Sequence, residues 1–185
     1  AALLIGPAAG LWGGWLDAVL MRLADVFMAF PRLILAIAVA ATLSSGLWTA
    51  VIAIALTGWP PYARVARAEV AALRQAEFIP AARAPGVSRL RLLLPHAVPL
   101  CLPSAVVRAT LDAPGIVLIV SGLGFLGLGL PPPAPEWGPM VAEGRAIVFE
   151  AWWVSTLPGA MILALSLGFN FLGDALRDVV DPGVK

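Results

Sequence analysis

EFIPAARAPGVSRLRLLLPHAVP, residues 77–99, gathers three arginines and the only histidine of a chain that is otherwise mostly apolar. The chain has 185 residues, of which 61% are hydrophobic and only 12% are charged. An ordinary soluble domain carries about twice that share of charged residues. The composition therefore predicts a membrane protein. In such a protein, the position of the basic residues indicates how the chain is oriented in the membrane.

The composition also excludes several classes of function. With a formal net charge of +1, the chain has no overall electrostatic attraction for nucleic acid, and we expect no such partner. Its single cysteine, Cys101, excludes an intrachain disulfide framework and most cysteine-based metal sites. We expect Cys101 to be a small buried residue, and we expect no metal site in the chain.

Five apolar stretches are candidates for membrane-crossing helices, each of which needs about 20 mostly apolar residues. They are residues 1–16, 27–43, 47 to about 63, 97 to about 120, and 151–173. The sequence thus predicts an all-α, polytopic transmembrane bundle with about five spans in this fragment. The first stretch is short and begins with alanine, so we expect the chain to start partway along a helix and to lack an N-terminal span.

Arginines between the third and fourth apolar stretches set the predicted orientation. Six lie there, against two glutamates: Arg64, Arg67, Arg74, Arg83, Arg89 and Arg91. Because basic loops stay in the cytoplasm, residues 64–96 are predicted to be a cytoplasmic loop. Alternation of the helices then puts residues 17–25, Arg32 and the C-terminus inside, and residues 44–46 and 123–150 outside.

A helical periodicity marks residues 15–25. Apolar side chains share one arc and charged ones the other: Trp15, Leu16, Val19, Leu20 and Leu23 against Asp17, Arg22 and Asp25. This pattern predicts an amphipathic helix that lies along the inner interface. The alternative is the continuation of a spanning helix that packs against other parts of the protein.

Residues 121–138, SGLGFLGLGLPPPAPEWG, have four spaced glycines before a run of prolines. They predict an irregular, semi-rigid outer segment, with Trp137 suited to the outer interface. Gly122, Gly124 and Gly127 match G-x-G-x-x-G, but a dinucleotide site needs a strand before the glycines and a helix after them, whereas here prolines follow. A phosphate-binding P-loop is excluded because its glycines precede a lysine, and the only lysine is Lys185.

Several small or polar residues lie inside the apolar stretches. Gly6, Gly10 and Gly14 have G-x-x-x-G spacing, which favours the close approach of another helix. Arg108 and Asp112 stand four apart, and such costly charges must face protein, a water-filled path or each other. An intrahelical pair and a pathway-lining role are both open. Asn170 and Asp174 have the same spacing, for which snorkelling or helix termination is favoured over contact with a solute.

The basic loop contains one candidate for regular structure. Residues 76–85 are rich enough in alanine for a short helix, which Pro80 could open and Gly86 could end. A short helix flanked by arginines would suit the docking of a soluble partner. An ordinary basic loop that only fixes the topology explains the same features.

The loop sequence AEFIPAARAPGVSRLRLLLPHAVP resembles the E-A-A-x-x-x-G loop of ABC-importer permease subunits. The match is to the second permease type of the dipeptide/oligopeptide/nickel permease family. Other stretches agree in order: GGWLDAVLMRLADVFMAFPRLILAIAVA, GWPPYARVARAEV, GFLGLGLPPPAPEWGPM with its following AEGR, and FNFLGDALRDVVDP. The resemblance covers essentially the whole chain.

The resemblance implies a MetI-like fold and a permease domain over residues 1–185, without catalytic residues or a cofactor of its own. It implies a paralogous permease partner, two cytoplasmic ATPase subunits that bind ATP and Mg²⁺, and an extracytoplasmic solute-binding protein, in a bacterial or archaeal inner membrane. By position, the coupling loop would use Glu77, Phe78, Pro80, Ala81, Ala82, Arg83, Gly86, His96 and Pro99. The segment facing the binding protein would include Gly127, Gly129, Pro132, Pro133, Trp137 and Gly138.

Prolines are where the chain departs from the family pattern. Pro80 stands where the motif has glutamate, and Pro85 and Pro95 replace aliphatic and basic residues. Because a proline inside a helix costs about 3 kcal/mol, a permease with impaired coupling is one alternative. A secondary transporter that works without an ATPase is another, and it would be expected to keep intramembrane acids for a coupling ion. The transported solute stays open among dipeptides, oligopeptides, glutathione-like peptides and nickel chelates.

Overall fold

A computed structural model of the chain describes residues 2–75 and 97–180, with side chains for residues 2–72 and 97–179. These residues form helices and no strand, so the all-α prediction is confirmed for this part of the chain. The helices are α1 (Ala2–Trp12), α2 (Gly14–Met28), α3 (Arg32–Ala41), α4 (Leu47–Gln75), α5 (Val98–Leu100), α6 (Leu102–Phe125), α7 (Trp137–Arg145) and α8 (Trp153–Val180). They belong to two compact units. The first unit comprises Ala1–Phe30 and Gly58–Arg108, and the second comprises Pro31–Thr57 and Ala109–Lys185.

The first unit is built on a close contact between α1 and the C-terminal half of α4. A Cβ atom added at Gly6 would overlap the carbonyl oxygen of Ala63, and one at Gly10 would lie 2.9 Å from that of Arg67. The close helix approach predicted from G-x-x-x-G spacing is therefore confirmed at these two glycines. A small core surrounds the contact: Leu11, Ala66, Val70, Ala97 and Cys101. The burial expected for Cys101 is confirmed as well.

Helix α2 turns its charged side toward the rest of the first unit and its apolar side outward. A buried helix would require the opposite arrangement. Its acidic residues face α4, while Trp15 is 78% exposed and Val19 is 55% exposed. Near the end of α2, Phe27 packs edge-on against Trp59 of α4, with ring centroids 5.6 Å apart. Within the first unit, the apolar arc of α2 is thus the outward one, as an interfacial helix requires.

The second unit packs α3 against parts of α4 and α6 through small side chains. Its core consists of Ala36, Ala40, Ala50, Ala53, Ile119 and Leu123. In the same unit α7 packs against α8. Ser155 at the start of α8 donates a hydrogen bond to the carbonyl of Val141, at 3.2 Å, which fastens the two helices.

By length and apolar composition, two of the described helices can cross a membrane, Leu102–Phe125 and Trp153–Val179. A third span is present only if α2 and α3, interrupted at Ala29–Pro31, are taken together as one. The five spans predicted from the sequence are therefore not confirmed as a number. The last helix is continuous to Val180, so Asp174 does not end it, which is a correction to one explanation of the Asn170 and Asp174 spacing.

The outer segment is more helical than its glycines and prolines predict. Helix α6 extends to Phe125, and α7 begins at Trp137, so the irregular part is confined to residues 126–136. Likewise, residues 64–75 of the predicted basic loop are the last turns of α4. In both places the helix extends beyond the apolar stretch from which it was predicted. Hydropathy indicates only which residues can lie in lipid, whereas the hydrogen bonds of a helix continue through polar residues.

Candidate functional site

One ion pair in the second unit joins two helices at a place where charge is unfavourable. Arg32 is the first residue of α3, directly after Pro31, and Asp112 lies near the middle of α6. Arg32 Nη1 donates hydrogen bonds to both carboxylate oxygens of Asp112, at 2.7 and 2.9 Å. The side chains of Arg32 and Asp112 are 24% and 15% exposed, respectively, so the pair is largely enclosed.

The surroundings make this pair energetically important. Helix α6 is one of the two described helices long and apolar enough to cross a membrane. A charge at such a position is costly unless it is paired, and breaking a buried pair leaves the remaining charge unpaired. The pair is nevertheless incomplete, because Arg32 Nε is enclosed and has no hydrogen-bond partner.

The sequence placed Asp112 with Arg108, four residues earlier on the same helix. In the structure the guanidinium that binds Asp112 belongs to Arg32 on α3, and Arg108 is exposed. Among the side chains of residues 2–72 and 97–179, Arg108 takes part in no ion pair. Of the two residues predicted to line a pathway, only Asp112 is thus engaged in a charged contact.

Two further ion pairs tie α2 to α4 in the first unit. Arg67 Nε donates to Asp17 Oδ1 at 2.9 Å, and Arg64 forms an ion pair with Asp25. The hydrogen bond to Asp17 and the charge of that carboxylate raise the pKa of Arg67, although burial acts in the opposite direction. Water can reach the Arg64–Asp25 pair, whose side chains are 46% and 43% exposed, whereas Asp17 is only 16% exposed. Both acids of the amphipathic pattern are therefore used to hold α2 against α4.

The outer segment lines an open cavity of about 430 Å³ in the second unit. Residues 130–136 form most of its wall, and the rest is formed by Ser45, Gly124, Gly127, Pro139, Met140 and Glu143. Ser45 donates a hydrogen bond to the Gly127 carbonyl at 3.4 Å, and Gly127 has a φ of 77°, which gives the turn after α6 its direction. The Pro132–Pro133 peptide bond is cis.

Glu136 organises this outer segment from within. Its Oε2 accepts a hydrogen bond from the backbone N–H of Leu130 at 2.9 Å. The carboxylate lies so close to the backbone that a Cβ atom at Gly124 would be 2.7 Å from Oε1, and one at Gly129 would overlap Oε2. Trp137 then opens α7, and Gly138 is buried against the carbonyl of Ser121. The predicted residues Gly127, Gly129, Pro132, Pro133, Trp137 and Gly138 therefore belong to one organised segment.

The predicted coupling loop is the part of the candidate site about which the structure says least. Glu77, Phe78, Pro80, Ala81, Ala82, Arg83, Gly86 and His96 lie outside the described residues. Pro99 lies in the short helix α5, directly before the buried Cys101. The role of these residues as a coupling loop remains a prediction.

Two functional candidates, Arg32 and Glu136, were missed by sequence reasoning. Arg32 is the only charged residue of the apolar stretch 27–43. A cation within a membrane span usually forms an ion pair with an acidic side chain. That rule would have pointed from Arg32 to Asp112. For Glu136 the sequence contains no comparable signal. Its structural role depends on the close packing of Gly124 and Gly129 against its carboxylate, which only the structure shows.

Comparison with known proteins gives a consistent result. A family model described as "Binding-protein-dependent transport system inner membrane component" matches residues 2–185. The chain is 42% identical over 179 residues to a probable D,D-dipeptide transport system permease protein of Escherichia coli K12, which covers 97% of this chain and 60% of that protein. It is also 42% identical over 181 residues to a dipeptide transport system permease protein of Alkalihalophilus pseudofirmus, covering 98% and 60%.

A relative that is named for a different transported solute is equally similar to this chain. The nickel transport system permease protein of Escherichia coli K12 is 42% identical over 180 residues, covering 97% of this chain and 65% of that protein. The chain thus spans about 60% to 65% of the length of these curated relatives. Equal identity to peptide and nickel permeases means that overall similarity does not select a solute.

Proposed function

Because the chain belongs to the family of binding-protein-dependent transport system inner membrane components, we propose that it is a permease subunit of an ATP-driven importer. In this proposal it forms half of a pathway for peptides or similarly small solutes across the inner membrane. A second, paralogous permease supplies the other half. Hydrolysis of ATP occurs in separate subunits, so this chain is not an enzyme and binds no cofactor of its own.

The family match over residues 2–185 carries the proposal. The helices are compatible with it, since α6 and α8 have the length and composition of spanning helices. For the orientation and the five spans we rely on the sequence, with residues 64–96 and the C-terminus in the cytoplasm and residues 123–150 outside. Helix α4 adds support, because its 29 residues measure about 43 Å, and a hydrocarbon layer measures about 30 Å. Its last turns, with Arg64 and Arg67, therefore extend beyond the apolar stretch.

We further propose that residues 77–96 contact the ATPase subunits. They connect the basic end of α4 to α5 and α6, so that a displacement of this loop acts on two long helices at once. On the opposite side, the outer segment around Glu136 would meet a solute-binding protein. Its bonded carboxylate and close backbone packing make it a semi-rigid surface for such a contact.

The Arg32–Asp112 pair bears on the competing class of cation-coupled transporters. Such a protein needs an intramembrane acid whose charge can bind the coupling ion. Asp112 already receives two hydrogen bonds from a guanidinium. This pairing favours an importer driven by partner ATPases over one driven by an ion.

Assembly and contact provide the test of the proposed function. The full chain would be co-expressed with its neighbouring permease and ATPases, after Cys101→Ser and introduction of Ala82→Cys for crosslinking. We expect a disulfide or maleimide crosslink between position 82 and an ATPase subunit. Phe149→Cys, at a fully exposed position on the predicted outer side, serves as the matched control and should give none. A complex that excludes the ATPases, or a crosslink from position 149 alone, would contradict the proposal.

A separate experiment tests whether Pro80, which stands where the family motif has glutamate, impairs coupling to the ATPases. If Pro80 weakens the coupling helix, Pro80→Glu should increase the amount of solute imported per ATP hydrolysed. Unchanged or lower uptake would reject the idea that Pro80 disables coupling. Ala81→Glu places the same charge one residue away and controls for charge alone.

A further inference from the structure

The open cavity of the outer segment has a wall that is rich in hydrogen-bond acceptors and poor in donors. The backbone N–H of Leu130 already donates to Glu136 Oε2 at 2.9 Å. The N–H of Ala134 donates to a neighbouring carbonyl at 3.3 Å, and the hydroxyl of Ser45 donates to another at 3.4 Å. Five described residues of the wall are prolines, which have a carbonyl but no N–H: Pro131, Pro132, Pro133, Pro135 and Pro139.

The charge at this cavity is negative. Glu136 and Glu143 both line it, and Glu143 is exposed. Within the part of the chain that the structure describes, Glu143 forms no ion pair. The only basic residue between positions 123 and 150 is Arg145, and its guanidinium lies 5.7 Å from the centre of the Phe125 ring. The carboxylate of Glu143 can therefore meet a cation that comes from outside the chain.

A long basic side chain has the chemistry that complements such a cavity. The charged ends of arginine and lysine carry N–H donors and no acceptor, which matches a wall of acceptors. Their aliphatic stems pack on apolar surface while the charged end stays with polar groups. The proline rings and Met140, which is 42% exposed, supply that surface. The volume of about 430 Å³ falls among ordinary ligand pockets of roughly 300–1,000 Å³, so one such side chain can enter.

The cavity is also held in shape without a partner. The hydrogen bond from Leu130 fixes Glu136, and Gly138 packs against the carbonyl of Ser121. The prolines restrict the backbone between these two contacts. Binding at a wall that is already ordered loses little further conformational entropy, which favours this place as a docking point.

We propose that this cavity receives an arginine or lysine side chain of the solute-binding protein, and that Glu143 forms an ion pair with it. This inference rests on the proposed function, in which residues 123–150 lie outside the membrane where the binding protein arrives. It deepens that function by assigning the acid of the contact to the permease and the base to the binding protein. Complementary charges of this kind fix the register of docking and increase the rate of association at low ionic strength.

Docking of the binding protein to the assembled transporter tests this inference. The full chain, its paralogous permease and the ATPases would be placed in phosphatidylcholine nanodiscs, and the affinity for the solute-binding protein would be measured by biolayer interferometry. Glu143→Gln keeps the size of the side chain but removes its charge, and we expect about tenfold weaker binding, the size expected for a lost charged hydrogen bond. Glu150→Gln is the matched control, because it removes the same charge from an exposed position that does not line the cavity. It should change the affinity less than about twofold.

Filling the cavity gives a second test that does not depend on charge. Ala134→Phe adds a ring at the wall of the cavity and should weaken docking about as much as Glu143→Gln. Ala146→Phe adds the same ring at an exposed position away from the cavity and should leave the affinity unchanged.

The basic side chain on the partner can be identified by the same measurement. Surface arginines and lysines of the binding protein would be replaced by glutamine one at a time. One replacement should weaken docking about tenfold on the wild-type complex and have no further effect on the Glu143→Gln complex, since contacting residues are not additive. If none of the replacements is coupled to Glu143 in this way, the inference is overturned.

The outcomes distinguish this inference from the function on which it rests. Equal affinities for Glu143→Gln and Glu150→Gln, with the wild-type complex still docking and importing solute, would overturn the inference and leave the proposed function intact. Absence of both docking and ATP-dependent uptake in the wild-type complex would contradict the proposed function, and the inference with it. Weaker docking in Glu143→Gln and Ala134→Phe, with both controls unchanged, would support the inference.

Discussion

The two compact units of this chain both use aspartate–arginine pairs, but in different surroundings. In the first unit, Asp25 and Arg64 tie α2 to α4 through side chains that water can reach, 43% and 46% exposed. In the second unit, Arg32 and Asp112 meet near the middle of a helix apolar enough to cross a membrane. The two kinds of pair therefore differ in their effect on stability. An accessible pair contributes little to the free energy of unfolding, whereas removing one partner of an enclosed pair lowers that free energy strongly.

The largest expected effect comes from breaking the enclosed pair. Asp112→Asn leaves the Arg32 charge without its counterion, and we expect it to lower the free energy of unfolding by about 3 kcal/mol. Asp25→Asn, in the exposed pair with Arg64, is the matched control in the first unit, and it should cost less than about 1 kcal/mol. Both values can be measured by denaturation in mixed micelles of the purified chain. Equal losses in the two variants would remove the distinction between the two sites.

A second contrast concerns glycines in the two units. Gly6→Ala would push a methyl group into the backbone of α4, and we expect overpacking to cost about 2 kcal/mol. Gly168→Ala on α8 is the control, because a Cβ atom there meets nothing within 4 Å. That variant should stay within about 1 kcal/mol of the wild type. If Gly6→Ala were as harmless as the control, the close contact between α1 and α4 would be wrong.

The smallest effect is expected in the outer segment. Glu136→Ala removes the acceptor of the Leu130 N–H, at a cost of about 1 kcal/mol, and should loosen residues 126–136 locally. Hydrogen exchange of the Leu130 amide would report the change as faster exchange. Glu143→Ala alters an exposed acid beside the same cavity and should leave that amide unchanged. Equal exchange rates in both variants would show that Glu136 does not organise the segment.

Hydropathy predicted the helices of this chain better than it predicted their ends. The stretches 97 to about 120 and 151–173 correspond to α6 and α8, but both helices extend further, to Phe125 and Val180. Apolar composition reports the layer that a helix crosses, and the backbone continues to form hydrogen bonds beyond it. The helix α7 was missed because the prolines before it dominate the pattern.

Pairing between helices was also beyond the sequence pattern. Spacing of four residues suggested Arg108 as the neighbour of Asp112, because only contacts along one helix follow from spacing. The actual partner, Arg32, is 80 positions away in the chain. By contrast, the contact at Gly6 and Gly10 was predictable, since a small-residue face indicates close packing whatever helix provides the other side.

Solute uptake into vesicles tests the central claim most directly. Vesicles would contain the full chain, its paralogous permease and the ATPases, with the solute-binding protein present, and would be given radiolabelled dialanine or nickel. The account predicts accumulation of a solute only when ATP is present and the P-loop lysine of the ATPases is intact. Uptake that persists with inactive ATPases, or in their absence, would contradict the assignment of this chain as a subunit of an ATP-driven importer.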